Sequence, residues 1–225
     1  MLRIHTVPCT VDEAAMKILF LFYTQAEGGA PGFLSRNGEE AAGNLAQTLF
    51  GFASETLKLS LQDGFESRAQ SLSEDIRWRA FKKPEAIAQA VGCASQLYPE
   101  LLLFAGENSR TLKTAEPVAQ ACALPVCVDL RLDRSSDDKP RHGSLADAVK
   151  ALIEIHIENL PQKPKSIWVS TSQKALLEWT SQLMSEEKWR EFSDVFTKST
   201  MQDTIPAVFA CGYEKTAGGP RWIID

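Results

Sequence analysis

The apolar positions of the chain fall into two patterns. Four short stretches, 17–23, 101–105, 126–132 and 166–170, are almost continuously apolar. Such runs suit strands buried on both faces, as in a parallel sheet covered by helices. Between them lie segments of helical period. Residues 38–51 carry Ala41, Ala42, Leu45, Ala46 and Leu49 on one stripe. Residues 84–97 read as a helix with a proline in its first turn, and residues 110–121 as a helix that Ser109 can cap. A further helix runs from a cap at Ser144 to about residue 159, where Pro161 and Pro164 end it; another covers 173–184. Residues 52–82 are polar and read as irregular structure with a helix around 66–80. Residues 207–213 and 221–224 read as a closing hairpin around Gly218-Gly219. The alternation of strand and helix predicts an α/β fold, a three-layer α/β/α sandwich with a mostly parallel central sheet.

No internal repeat or linker divides the pattern, so one domain is expected over 16–225. Met16 opens the first strand like a natural start, which leaves 1–15 as an N-terminal appendage. With 225 residues, 44% hydrophobic and 24% charged, the chain can bury a full core. A net charge of -5 leaves no basic surplus to neutralise phosphates, which argues against nucleic acid as partner. Asp12 and Glu13 interrupt the N-terminus before any signal-like run forms, and the apolar run at 18–23 is too short for a membrane span. The five cysteines are scattered and odd in number, as expected of free, mostly buried thiols in a reducing cytoplasm. Three histidines with no Cys/His cluster predict no metal site, and no cofactor is expected.

In open α/β sheets the ligand sits beyond the carboxyl ends of the strands. Here those ends deliver Thr24-Gln25-Ala26-Glu27, then Gly106-Glu107-Asn108-Ser109-Arg110, then Ser170-Thr171-Ser172. Together they make a polar pocket with one arginine at a helix start, suited to a phosphate or carboxylate. An ion pair of Arg110 with Glu27 or Glu107 is the competing reading. His156 reads as a packed or helix-surface histidine, and Cys211 as a packing residue in a strand. Trp168 and Trp222 are expected in the core. Trp78, Trp179 and Trp189 are candidates for an interface, a homodimer among the arrangements it allows. Gly28-Gly29 lacks the pattern of a phosphate-binding loop.

In order and spacing these segments resemble the histidine phosphatase superfamily, the phosphoglycerate-mutase-like proteins. The first strand of that family ends in Arg-His-Gly, usually followed by Glu, where this chain has Thr24-Gln25-Ala26-Glu27. Leu34-Ser35-Arg36-Asn37-Gly38-Glu39-Glu40-Ala41-Ala42 is similar to the opening of its first helix. Ser109-Arg110-Thr111-Leu112-Lys113-Thr114-Ala115-Glu116 is similar to its second motif, and Val169-Ser170-Thr171-Ser172 stands where the family has Val-Ser-His-Gly. Leu124-Pro125-Val126 followed by Asp129-Leu130-Arg131-Leu132 also looks like the family, as does the ending at 207–225 with Trp222. The match covers 16–225, with 52–98 a poorly matched, helical insertion.

The resemblance implies a phosphoglycerate-mutase-like fold and a phosphate site, and the departures imply lost chemistry. Gln25 stands at the position of the nucleophilic histidine, and an amide nitrogen has no lone pair available for attack. Thr24 replaces an arginine and Thr171 the second histidine; Arg110 is the charged group retained. Losing one electrostatic stabiliser costs roughly 10²–10³ in rate, and several are gone. Arg141-His142-Gly143 spells the family motif on a polar loop rather than at a strand end, and Asp133 lies near a proton-donating glutamate of some members. The expected reading is a catalytically degenerate protein that holds an anionic, phosphate-like ligand or a protein partner through Thr24, Gln25, Glu27, Ser109, Arg110, Thr171 and Ser172. The alternatives are an active phosphatase with Thr24, Thr171 or a water as nucleophile, and a structural or assembly role.

Overall fold

A computed structural model describes residues 16–22, 34–56, 80–81, 91, 101–122, 124–132, 144–161, 163–164, 166–202, 207–217 and 219–223. Seven strands form one sheet: β1 (Met16–Phe22), β2 (Ala80–Phe81), β3 (Leu101–Ala105), β4 (Val126–Val128), β5 (Ser166–Thr171), β6 (Ala207–Thr216) and β7 (Gly219–Ile223). Their order is β2-β4-β3-β5-β1-β6-β7. The pairings from β2 to β1 are parallel, and β6 and β7 add an antiparallel hairpin beside β1. The parallel part is the buried kind of sheet that unbroken apolar runs predict.

Consecutive residues of each strand feed opposite layers. Leu101, Leu103, Ala105, Val126, Val128 and Trp168 belong to one core. Leu102, Phe104, Cys127, Ile167, Val169, Ile18, Phe209 and Cys211 belong to the other. A side chain of the size of Leu or Phe gains roughly 1.5–3 kcal/mol when fully buried, so a strand buried on both sides is held by nearly every residue it has.

The first core is covered by α1 (Arg36–Thr56) and α2 (Ser109–Cys122), which pack along each other. The stripe Ala41, Ala42, Leu45, Ala46 and Leu49 is buried as its spacing predicts. Ser35 starts α1, its Oγ accepting the Gly38 N–H at 3.1 Å. The second core is covered by α3 (Leu145–Leu152), α4 (Gln173–Leu183) and α5 (Glu186–Gln202), the last contributing Phe192. Three layers result, as expected.

Four elements differ from the sequence reading. The strand expected over 126–132 stops at Val128 and turns into one 3-10 turn, Leu130–Leu132. The helix expected from 144 to 159 is regular only to Leu152 and continues as a π turn, Ile153–Ile157. Residues 80–81 are strand, where a helix was expected to end; the rest of 57–79 lies outside the described residues. Helix α5 had no predicted counterpart. Of the helix expected over 84–97, Val91 is described and is helical and buried. The appendage at 1–15 lies outside the described residues.

Candidate functional site

The carboxyl ends of β1, β3, β4 and β5 lie along one edge of the sheet, because all four run parallel. Register brings Phe22 opposite Thr171 and Ala105 opposite Ser170. Across the second junction the Gly106 N–H donates to the Ser170 carbonyl at 3.3 Å. The start of α2 is tied to the same place. Ser170 Oγ, fully buried, donates to the Thr111 carbonyl at 2.8 Å.

The residue that caps α2 is Asn108, not Ser109. Asn108 Oδ1 accepts the Arg110 N–H at 2.9 Å, and the Asn108 carbonyl accepts the Leu112 N–H at 3.0 Å. An amide side chain at this position satisfies a first-turn donor as well as a serine would. Ser109 is thereby displaced into the first helical position, where it is exposed. Thr111 Oγ1 donates back to the Asn108 carbonyl at 2.7 Å, and Thr114 Oγ1 to the Arg110 carbonyl at 2.9 Å. Arg110 itself is half-buried, with its Nε away from solvent.

Thr171 is fully buried, and its Oγ1 donates to the Leu132 carbonyl at 3.3 Å. A hydroxyl so used is not a free donor. Ser172 starts α4, its Oγ accepting the Ala175 N–H at 3.2 Å. Strand end, 3-10 turn and helix start are thus joined by short polar links.

Beside them sits a charged cluster that the sequence did not single out. Asp129 follows β4 directly and is buried. Its Oδ1 accepts the Arg131 backbone N–H at 3.0 Å and Nε–H at 2.8 Å, and its Oδ2 faces Arg131 Nη2. This is a two-pronged arginine–carboxylate pair. From the π turn, His156 Nε2 stands 3.8 Å from Asp129 Oδ2, with 9% of its side chain exposed. The His156 ring lies against Phe104, centroids 6.0 Å apart.

Burial pushes the Asp129 carboxyl up, but hydrogen bonds from Arg131 and its charge, with a smaller contribution from His156, outweigh it and hold the group below the ordinary value. His156 is pushed below its ordinary value by burial, with Asp129 opposing and Arg131 reinforcing the shift. The signal in the sequence was Asp-x-Arg immediately after a buried strand; nothing in the sequence tied it to a histidine one helix later.

Of the predicted ligand set, Ser109, Arg110, Thr171 and Ser172 share the β3–β5 corner of this edge, while Thr24, Gln25 and Glu27 lie outside the described residues. So do Gly28-Gly29, Asp133, Arg141-His142-Gly143 and Trp78. Trp168 is in the core as expected. Trp179, a candidate for an interface, is 1% exposed and boxed by Phe209 and Trp222. Trp189 is half-buried, its Nε1 donating to the Leu177 carbonyl at 3.3 Å. His156 is a packed histidine. Cys122, Cys127 and Cys211 are buried and outside any disulfide, and burial pushes the Cys122 and Cys127 thiols up to about 12, far from reactive. Among the described residues no group of three or more His, Cys, Asp or Glu can hold a metal ion, and no helix is long and apolar enough to cross a membrane.

No family model matches the chain, and no curated protein does. The solved structures that it resembles include a phosphatase and a mutase. The mycobacterial glucosyl-3-phosphoglycerate phosphatase is 13% identical at a TM-score of 0.48, covering 94% of this chain and 97% of its own. A mycobacterial hydrolase is 12% identical at 0.49, covering 94% and 97%. Phosphoglycerate mutase from Plasmodium falciparum is 10% identical at 0.41, covering 80% and 77%. Likenesses this distant pass on no function.

Proposed function

We propose that this chain is a catalytically degenerate phosphoglycerate-mutase-like protein that holds a phosphorylated or otherwise anionic ligand without turning it over. The observation that carries the reading is the state of Thr171. It occupies the end of β5 where the resemblance calls for the second histidine, and its hydroxyl is given to the Leu132 carbonyl inside a fully buried site. That leaves no imidazole at this strand end, and burial keeps the Thr171 hydroxyl from a phosphoryl group. The same burial removes Thr171 from the ligand's reach. Recognition falls to Arg110 and Ser109 in the first turn of α2 and to Ser172, with Thr24, Gln25 and Glu27 from the segment that follows β1. An arginine beside the N-terminal N–H groups of a 14-residue helix favours an anion. The reading includes one domain over 16–225 and, from the reduced buried thiols, a cytoplasmic setting.

An active phosphatase with Thr171 as nucleophile is opposed by the complete burial of that residue. Binding of inorganic phosphate by calorimetry tests the reading, alongside a hydrolysis assay over a panel of phosphomonoesters. Phosphate should bind to the wild-type chain, and Arg110→Ala should weaken it about tenfold to hundredfold, the worth of a charge-assisted hydrogen bond. No ester in the panel should turn over. Robust hydrolysis abolished by Arg110→Ala would overturn the proposal, as would phosphate affinity indifferent to that change.

A further inference from the structure

Three observations outside the candidate ligand set converge on one point. The helix carrying His156 leaves the α form there and ends in a π turn, Ile153–Ile157. This turn sets His156 3.8 Å from a carboxylate whose other partner is Arg131. The 3-10 turn that the Asp129–Arg131 pair folds is the same turn whose Leu132 carbonyl receives the Thr171 hydroxyl. Asp129 is also fixed to β3, its N–H donating to the Ala105 carbonyl at 2.9 Å.

We propose that Asp129, Arg131 and His156 form a proton-operated latch that holds the 129–132 turn against the ends of β3 and β5 and releases it when His156 gains a proton. With the imidazole neutral, one carboxylate serves one cation. Protonation sets a second cation against the same carboxylate in a buried place, beside Phe104, which offers a ring but no charge. The carboxylate has lone pairs for both cations, but the buried cluster then carries a net positive charge with Arg131 beside His156, which favours the arrangement in which the imidazolium reaches water. That release slackens the turn and, through Leu132, the tie to Thr171.

Among the described residues, the charged groups facing His156 are Asp129 and Arg131. On its own helix Lys150 and Glu154 pair with each other at 3.9 Å on the exposed side, and Glu158 is taken by Lys215 at 2.5 Å. Helix α4, packed against α3, carries Lys174 and Glu178, both exposed. The latch does not depend on the ligand reading above.

The direction follows from linkage. His156 in the folded chain binds its proton below the ordinary value of 6.5. The closed state is therefore fully favoured above 6.5 and loses ground as pH falls below it, by up to about tenfold per pH unit between the pKa of the open state and that of the closed one. Asp129 adds a second loss at more acid pH, because its own pKa lies below 3.8.

The test is NMR on the full-length wild-type chain, which has three histidines to assign. The His156 ring should titrate below 6.5, and protection of the Arg131 and Leu132 amides against hydrogen exchange, corrected for intrinsic rates, should fall as the pH drops below 6.5 and level off below the His156 midpoint. His156→Gln should hold that protection flat between pH 7.5 and 5.5. The latch is refuted if His156 titrates at or above 6.5, if protection in the wild-type chain stays flat from pH 6.5 down through the His156 midpoint, or if His156→Gln loses protection as the wild type does. The wild-type comparison decides the matter even where the variant fails to fold.

Discussion

On one face of the sheet the helices close in on alanines, and on the other they are held off by rings. Among the described residues, Ala46, Ala115 and Ala119 of α1 and α2 share one core with Leu45, Leu49 and Val118, and Trp168 is its aromatic member. Beneath α3, α4 and α5 lie Trp179, Phe209, Trp222, Phe192 and Tyr213. Their rings meet edge to face, with Trp179–Trp222 centroids at 4.9 Å and Tyr213–Trp222 at 5.2 Å. The polar links follow the same division. The alanine face is joined to the sheet by neutral hydroxyls, Ser170 to Thr111 above all. The ring face carries the ionisable cluster through His156. Groups on α2, Arg110 among them, therefore stand on a closely packed platform whose links do not titrate. The shifted groups that titrate below neutral pH among the described residues, Asp129 and His156, belong to the other side.

The largest test of this division uses two neighbours on β3. Leu103 points into the alanine face and Phe104 into the ring face. Phe104→Ala should cost about 3–5 kcal/mol and Leu103→Ala about 2–5 kcal/mol in urea unfolding at neutral pH. The distinguishing result is the pH dependence. Phe104→Ala removes the ring that buries His156 and should shrink the loss of stability below pH 6.5, whereas Leu103→Ala should leave that loss unchanged. Equal pH profiles in the two variants would dissolve the distinction between the faces.

A smaller effect probes the close packing itself. Ala119 is fully buried on the side of α2 that faces the core. Ala119→Leu should cost about 1–3 kcal/mol by overpacking, read from the same unfolding curves. A neutral or stabilising outcome would mean that α1 and α2 have slack between them, and Arg110 would lose its rigid footing.

The strands of the parallel sheet were legible because burial on both sides leaves an unbroken apolar run. That rule misled at 126–132. Leu130 and Leu132 prolong the run, yet Leu130 is 43% exposed, and Asp129 between the two halves is what bends the chain into a turn. Helix α5 was not read because its described outer residues, Glu186, Glu187, Lys188, Arg190, Glu191 and Asp194, are exposed and charged, with Trp189 and Phe192 as its only half-buried rings there. At the site, the second-motif arginine and the Ser170–Ser172 strand end were found by spacing and do share one edge. The role of Asn108 was missed because Ser and Asn are equally good caps and stand side by side. The Asp129–His156 approach joins a strand end to a helix much later in the chain, and no local pattern encodes it. Thr24 and Gln25 fall outside the described residues.

The smallest effect concerns the link that ties the alanine face to the candidate site. Ser170 is fully buried, and its hydroxyl donates to the Thr111 carbonyl, which lies in the first turn and a half of α2. That carbonyl also belongs to the helix ladder, so removing the hydroxyl leaves no acceptor wholly unsatisfied. Ser170→Ala should then cost only the net worth of one hydrogen bond, about 0.5–1.5 kcal/mol, and nearly the same at pH 7.5 and 5.5, since neither group titrates. Its value lies in a second readout. If Arg110 is held in place by the fixed start of α2, Ser170→Ala should weaken phosphate binding while leaving His156 to titrate as in the wild type. An unchanged phosphate affinity would place the footing of Arg110 in its Asn108 cap alone. A moved His156 titration would show that the two faces communicate through β5, and their polar links would then have to be treated as one network.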